Sequence, residues 1–272
     1  MNNMAQAESR DTMTAHAQRD HKVSPFLLEV VKNALDTIAD ELALIIMRTA
    51  YSSIVRDAMD YSTAICDSNG HTLAQGLTTP LHLGSFFDAM ANLVKNHAPT
   101  AVPGDVFIFN DPYLAAGQHL PDMYIVRPIF IDGAIEGWAT TVAHLNDIGG
   151  IVPGSNSIGS TEIFQEGLRF PVLKLYQGGI ENQTIWDILS ANVRVPDKVL
   201  GDVKAQVSAC LVGEREFKSL FERYGRETLH RTFQAIHDYA EKLARAPRWP
   251  LQIPPPLASQ IPPGRTGELS VV

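Results

Sequence analysis

Apolar residues recur every three or four positions from residue 24 to residue 50, which is the period of an amphipathic α-helix. The apolar positions are Leu27, Val31, Leu35, Ile38, Leu42 and Ile45. Ser24 is a favourable N-cap residue, and Pro25 suits the first helical position. Charged residues are interspersed along the same segment and argue against a membrane span. The pattern therefore predicts one long scaffold helix.

Short apolar runs separated by turn residues follow this helix and predict β-hairpins. The first hairpin covers residues 62–75, where Asn-Gly supplies the positive φ angles of a tight turn. A strand over residues 105–109 ends at Asn-Asp-Pro, a strong turn signal. Residues 123–130 and 134–145, joined by a turn at Ile-Asp-Gly, form a second hairpin.

Helical patterns lie between and after these strands. The predicted helices cover residues 82–97, 182–193, 197–223 and 226–245, with a short strand at 170–176. Residues 146–167 are rich in Gly, Ser, Asn and Pro, which indicates a functional or mobile loop. The predicted fold class is α+β, with a long N-terminal helix, antiparallel hairpins forming a mixed sheet, and C-terminal helices.

The two ends of the chain differ from its middle. Residues 1–23 are polar without periodicity and predict a disordered tail, so the folded domain is expected at 24–245. Seven prolines between positions 247 and 263 forbid a helix or a central strand, which predicts an extended tail over 246–272. The alternative for this tail is a ligand for an aromatic-lined groove.

Composition excludes several classes of partner. With 272 residues, 45% of them hydrophobic, the chain can bury a substantial core. Its net charge of -8 gives no basic footprint, so neither nucleic acid nor an anionic membrane surface is an expected partner. Cys66 and Cys210 are far apart and give no disulfide framework, which indicates a reducing compartment. With no secretory signal pattern either, we expect a cytoplasmic protein.

Histidines and carboxylates carry the candidate chemistry. Of the nine histidines, two lie in the polar tail, His71 follows a hairpin turn, and His230 and His237 have no evident partner. The remaining candidates are His82, His97, His119 and His144.

The motif His-x-x-Asp occurs twice, as His119 with Asp122 and as His144 with Asp147. His119 precedes the first strand of the second hairpin and His144 ends the other, so antiparallel pairing brings both to one sheet edge. Two imidazoles with a carboxylate from Asp60 or Asp122 suit a divalent zinc, manganese or iron ion, and Asp147 would orient His144. The alternative is hydrogen-bonded loop histidines beside turn-forming aspartates.

Catalytic roles are predicted for Asp122, Asp147 and Glu162. Glu162 and Glu166 lie in the glycine-rich loop and are candidates for a general acid or base, although loop solvation explains them equally well. The chain has no Gly-x-Ser-x-Gly motif, phosphate loop or dinucleotide fingerprint, so it offers no recognisable site for ATP.

Several long segments together resemble the hydantoinase B/oxoprolinase family. They are "NDPYLAAGQHLPDMYIVRPIF", "AHLNDIGG", "GGIVPGSNSIGSTEIFQEGLRFPVLKLY" and "ILSANVRVPDKVLGDVKAQVSA". The similarity runs from Pro25 to about Ala244. That family includes B subunits of N-methylhydantoinases, the corresponding half of 5-oxoprolinases, and subunits of acetone and acetophenone carboxylases.

The resemblance implies a metal-dependent B-type subunit that acts on a small cyclic amide or ketone. It further implies a hetero-oligomer with a hydantoinase A-type subunit, which binds ATP and phosphorylates the substrate. The family's metal ligands carry over to His119 and His144, with the carboxylate on Asp60 or Asp122. Leu145 stands where many relatives have an aromatic residue or histidine, which alters the wall of the site.

Length is the larger departure from the family, because its B subunits are about twice as long. We therefore expect an N-terminal fragment or a chain ended by a frameshift. One alternative is a non-catalytic binding or assembly remnant of such a protein. Another is a metal-dependent hydrolase that needs no ATP.

Overall fold

The computed structural model describes residues 23–79, 82–113 and 118–246. The predicted N-terminal tail and the proline-rich segment lie outside these ranges, except for residues 23 and 246. The helices are α1 (Pro25–Thr49), α2 (Ser53–Arg56), α3 (Leu83–His97), α4 (Gln183–Asn192), α5 (Pro196–Tyr224) and α6 (Arg226–Arg245). The strands are β1 (Tyr61–Asp67), β2 (Thr72–Gln75), β3 (Val106–Phe109), β4 (Asp122–Ile131), β5 (Ala134–His144), β6 (Leu173–Gln177) and β7 (Ile180–Glu181).

The strands form one sheet in the order β2-β1-β5-β4-β3-β6-β7. The α+β class is confirmed, and both predicted hairpins are present. Every described pair is antiparallel, so the sheet is antiparallel rather than mixed. The connection from β2 to β3 contains α3 and places β3 beside β4. There β3 runs antiparallel to β4, so no parallel pair forms among the described strands.

Helix α1 forms as its periodicity predicts. The Ser24 side chain accepts a hydrogen bond from the Leu27 amide at 3.1 Å and so caps the first turn. The apolar stripe is buried against the sheet and α5. Two hydroxyl groups of β1 also donate to α1 carbonyls, from Tyr61 to Ala43 and from Thr63 to Ala39, both at 2.9 Å.

Helices cover the sheet on both faces. One face packs against α1, α4, α5 and the first turns of α6, and the other packs against α3. Alternate residues of β1 therefore enter different cores, Ile65 on the α1 side and Cys66 on the α3 side. Because both faces are covered, all seven residues of β1 are buried.

Two short elements fall outside the sequence prediction, namely α2 with four residues and β7 with two. Elements of this length carry too few apolar positions for a periodic signal. Helix α2 is fixed by a distant residue instead, because buried Asp202 on α5 accepts the Tyr51 and Ser52 amides at 2.8 and 3.0 Å.

The described residues belong to two compact units, divided between His237 and Asp238. The described part of the second unit is the end of α6, where Arg245 bonds Glu241 at 2.7 Å. Among the described residues, no helix is both long enough and apolar enough to cross a bilayer.

Candidate metal centre

Three neighbouring strands bring Asp60, His144 and Asp122 into one row at one end of the sheet. Asp122 is the direct partner of His144 in the β4–β5 ladder. On the other side of β5, the His144 amide donates to the Asp60 carbonyl at 3.0 Å. Met59, just before Asp60, has a positive φ of 55°, which turns the chain sharply into β1. The predicted convergence of His119 and His144 follows from this register, and their rings lie 4.9 Å apart.

The Asp122 carboxylate is the centre of the cluster and is 1% exposed. Its Oδ2 lies 2.8 Å from Nδ1 of His119, and its Oδ1 lies 3.4 Å from Nδ1 of His144. Asp60 is farther out, with its Oδ2 3.9 Å from the same His144 nitrogen. The structure thus places Asp122 between the histidines and Asp60 at their margin.

His82 is a further member of the cluster that the sequence analysis did not select. It is the N-cap residue of α3 and is fully buried. Its Nε2 lies 3.5 Å from Oδ1 of Asp122 and 3.8 Å from Oδ1 of Asp60. No aspartate stands near His82 in the sequence, and its position depends on how α3 packs across β1 and β4. The one local signal was its place at the start of a predicted helix.

A hydrogen-bond chain fixes the tautomer of His82. The Ser62 hydroxyl donates its one proton to the Thr79 carbonyl at 2.6 Å. Ser62 Oγ also lies 3.0 Å from His82 Nδ1, and it can only accept there, so Nδ1 carries the imidazole proton. In the neutral form of the ring, Nε2 is then the nitrogen available to a cation, on the side of Asp60 and Asp122.

The neighbouring charges shift two pKa values. Burial would raise the pKa of Asp122, but the imidazoles of His119, His144 and His82 outweigh it and hold that pKa well below its ordinary value. The Asp122 carboxylate raises the pKa of His119 above its ordinary value, against the opposing effect of partial burial. An ionised carboxylate surrounded by nitrogen donors is the electrostatic arrangement of a cation site.

The donor atoms fit a divalent metal ion. Nε2 of His82, Nδ1 of His119 and both carboxylate oxygens of Asp122 are buried without an aligned hydrogen bond. Leaving such groups unpaired costs about 1–3 kcal/mol each. The 3.4 and 3.5 Å separations of Asp122 Oδ1 from His144 and His82 match the ~3.4 Å edge of a tetrahedron with bonds of about 2.1 Å. Three nitrogens with carboxylate oxygen suit zinc, manganese or iron.

Asp147 occupies a different position from the predicted one beside His144. Its carboxylate accepts the amides of Gly149, Gly154 and Arg194, each at 3.0 Å, and the Arg194 guanidinium at 2.9 Å. These bonds lower the pKa of Asp147, although burial would raise it. Asp147 therefore holds the glycine-rich loop to the start of α5, and its catalytic role stays a prediction.

The glycine-rich loop forms a hollow of about 270 Å³ beside His119. Its wall contains Ser155, Asn156, Ser157 and Glu166. Of the two candidate glutamates, Glu166 therefore lies next to the cluster. Glu162 instead caps the short 3-10 helix Ile163–Gln165.

Asn110 connects the loop that carries His119 with the segment that leads from the glycine-rich loop into β6. Its Nδ2 donates to the carbonyls of Leu120 at 2.7 Å and Leu168 at 2.9 Å. Its Oδ1 accepts the Phe170 amide at 2.6 Å. The predicted Asn-Asp-Pro turn thus also positions the site.

Comparison with known proteins agrees with the resemblance noted in the sequence. The model of the hydantoinase B/oxoprolinase family matches residues 24–247. The putative B-type subunit of a D-/L-hydantoinase from Pseudomonas sp. strain NS671 is 33% identical over 229 residues, which cover 82% of this chain and 38% of the relative.

Two solved structures share the fold. The crystal structure of ATP-dependent caprolactamase from Pseudomonas jessenii matches with a TM-score of 0.78 and 36% identity, covering 83% of this chain and 39% of that one. Nucleotide-free acetone carboxylase matches with a TM-score of 0.72 over 77% of this chain and 28% of the other, but at 21% identity it supports the fold alone. The chain thus spans less than two fifths of the relatives it matches. From the family match over most of its length, we conclude that this chain belongs to the hydantoinase B/oxoprolinase family.

Proposed function

We propose that this chain forms the metal-binding part of a B-type subunit that hydrolyses a small cyclic amide in an ATP-dependent reaction. The main observation in its favour is a cluster of potential metal-ligand atoms on His82, His119 and Asp122, beside His144. These atoms are buried and make no aligned hydrogen bond. The caprolactamase structure is named ATP-dependent, and the hydantoinase relative is named as a B-type component of its enzyme. A related ketone carboxylase is a variant of this proposal, since the family resemblance of the sequence implies both reactions.

The ion would be held by His82, His119, Asp122 and His144, with Asp60 as an outer carboxylate. A divalent ion bound there supplies a Lewis acid for a carbonyl oxygen and lowers the pKa of a bound water. The side chains of His119 and Asp60 are 40% and 30% exposed, so these are the members of the cluster that solvent and substrate can reach.

The hollow beside His119 is the proposed place of the substrate. Asn156 and Ser157 line it with polar groups that suit an amide or lactam, whereas the Ser155 hydroxyl bonds the loop backbone. Glu166 lies in the same wall, where its carboxylate can accept a proton from the attacking water and return it to the leaving nitrogen. The loop is positioned by Asp147 and Arg194, so these two residues act on the reaction through it.

ATP is proposed to bind to a hydantoinase A-type subunit, in a hetero-oligomer with this chain. The activated intermediate would then reach the metal centre from that partner. The second candidate is an assembly role, in which the chain contacts the A-type subunit without chemistry; the chain covers 38–39% of these relatives.

Two measurements test the proposal. The first is the elemental content of the purified chain, where His119→Ala and His144→Ala are each expected to hold one ion per chain fewer than the wild type. The second is cyclic-amide hydrolysis by the chain with an A-type subunit, with and without ATP. We expect Glu166→Gln to lower turnover and the matched Glu162→Gln variant to retain it.

The outcomes separate the alternatives. A bound ion with no turnover in the complex would support the assembly role. Turnover that is indifferent to ATP would favour a metal-dependent hydrolase of another kind. Absence of an ion from well-folded wild-type protein in the complex would contradict the metal centre itself.

A further inference from the structure

A second cluster of histidine and carboxylate groups lies at the other end of β1. Asp67 ends β1, His71 follows the hairpin turn, and His237 comes from α6. Asp67 Oδ2 lies 3.2 Å from Nε2 of His237 and 3.4 Å from Nδ1 of His71. The sequence analysis found no evident partner for His237 and placed His71 only after a hairpin turn, whereas the structure brings both to Asp67.

Backbone hydrogen bonds fix the orientation of the Asp67 carboxylate. Its Oδ1 accepts the amides of Asn69 and His71, both at 2.9 Å, within the hairpin turn. Its Oδ2 is thereby directed to the two imidazoles. Backbone amides of the turn already fix the carboxylate, so the side chain loses little conformational freedom when it binds a ligand.

The donor geometry matches a metal site. One atom each of Asp67, His71 and His237 lie within 4.8 Å of one another. The 3.2 and 3.4 Å separations are close to the ~3.4 Å edge expected for tetrahedral zinc with bonds of about 2.1 Å. The two rings meet edge to face with centroids 5.7 Å apart, so both nitrogens approach the same oxygen without a ring clash.

The surroundings leave room for a fourth ligand. A hollow of about 190 Å³ borders Asp67 and His237. The side chain of His71 is 55% exposed, so the cluster opens to solvent. Glu136 and His230 line the same hollow but bond each other at 2.6 Å, and Arg226 also pairs with Glu136 at 2.8 Å. These neighbours are already partnered and do not compete for the same position.

We propose that Asp67, His71 and His237 form a second site for a divalent transition ion, with zinc as its preferred occupant. Two imidazoles and one carboxylate with an open fourth position are a donor set that zinc accepts. The bound ion would tie the β1–β2 hairpin to α6. Asp67 lies seven positions after Asp60 along β1, about 23 Å at the rise of a strand, so the two sites are distinct and bind independently.

Zinc titration of the full chain tests this site. The background is His119→Ala with His144→Ala, stripped with a chelator, in which any remaining zinc reports on the second site. We expect one zinc per chain there, a rise in melting temperature on adding zinc, and at least a roughly tenfold loss of affinity in His71→Ala and His237→Ala. His230→Ala is the matched control, on the same helix with a different partner, and should bind as the background does.

Two results would overturn the proposal. One is a folded background, judged by circular dichroism, that binds no zinc. The other is zinc that persists in both His71→Ala and His237→Ala. If the background does not fold, the same variants are compared in the wild-type chain, where loss of the second of two equivalents is expected. His71 is exposed, so His71→Ala keeps the test valid even if His237→Ala disturbs packing.

Discussion

Asp122 lies directly opposite His144 in the antiparallel β4–β5 ladder, with its Oδ1 3.4 Å from Nδ1 of the histidine. In such a ladder, the side chains of a directly paired position point to the same face of the sheet. That face is the one covered by α3, whose N-cap residue His82 completes the cluster. The candidate metal ligands are therefore brought together by the register of β4 and β5 and by the position at which α3 begins.

The buried position of His82 predicts that it is needed for metal binding. Its Nε2 is buried and unpartnered, so replacing the ring removes a donor that no neighbour can replace. We expect His82→Ala to weaken zinc or manganese binding at least about tenfold. His97, at the other end of α3 against the Phe107 ring, is the matched control. Equal affinities for the wild type, His82→Ala and His97→Ala, measured by equilibrium dialysis, would contradict this role.

Ser62 is expected to tune the same site without touching the ion. Its hydroxyl accepts from His82 Nδ1 and donates to the Thr79 carbonyl, which holds the ring and its tautomer. Such outer partners are worth about 10–100-fold in metal affinity. We expect that loss in Ser62→Ala, measured by competition with a chromogenic chelator. Ser85→Ala, which removes a hydroxyl bonded to Tyr124 and to the His82 carbonyl but not to the imidazole, should change the affinity less.

Much of the fold was predictable because its signals are local. The α1 stripe, the Asn-Gly turn and the three C-terminal helices depend on residues close together in the chain, and the observed bounds of these helices match the predicted ones to within one residue. The convergence of His119 and His144 was predictable for a related reason, because a hairpin joins two neighbouring strands. The exact pairing of Asp122 with His144 was not, because a bulge between Ile129 and Phe130 shifts the register by one residue.

The rest of the site depends on contacts between distant segments. His82 reaches Asp122 because α3 crosses the sheet, and forty residues of sequence separate the two. The Arg194 guanidinium meets Asp147 from a similar distance, which no spacing rule anticipates. His237 and Asp67 are 170 residues apart. A histidine outside any motif gives no sequence signal for such a partner.

Because of the Asp147 carboxylate, we expect the free energy of unfolding to decrease as the pH falls into the acid range. Its folded-state pKa is lowered, so the unfolded state binds the proton more tightly. The stabilisation is present above the unfolded-state pKa of about 3.9 and is lost as the pH falls through the folded-state pKa. We expect Asp147→Asn to lose about 1–3 kcal/mol at pH 7 and to show a weaker acid dependence.

Urea unfolding between pH 3 and pH 7 measures this effect. Asp88→Asn, at an exposed position on α3, is the control and should follow the wild-type profile. If Asp147→Asn instead parallels the wild type at every pH, the hydrogen bonds of Asp147 contribute nothing to folding. The variant also reports on the loop, because Gly149 and Gly154 both donate to the Asp147 carboxylate.

Gly137 on β5 is expected to tolerate no side chain. A Cβ there would lie 2.8 Å from the Cys66 carbonyl oxygen and 2.8 Å from the Phe217 ring. The carbonyl belongs to the backbone of β1, so it cannot move without disturbing the ladder, and overpacking of this kind costs about 1–3 kcal/mol. Gly137→Ala should therefore lower the free energy of unfolding by that amount in urea. Gly159→Ala, whose Cβ would meet no atom within 4 Å, should leave it unchanged or slightly raised. Equal stability of the two variants would contradict this prediction. It would mean that α5 can move away from β5 at little cost in free energy.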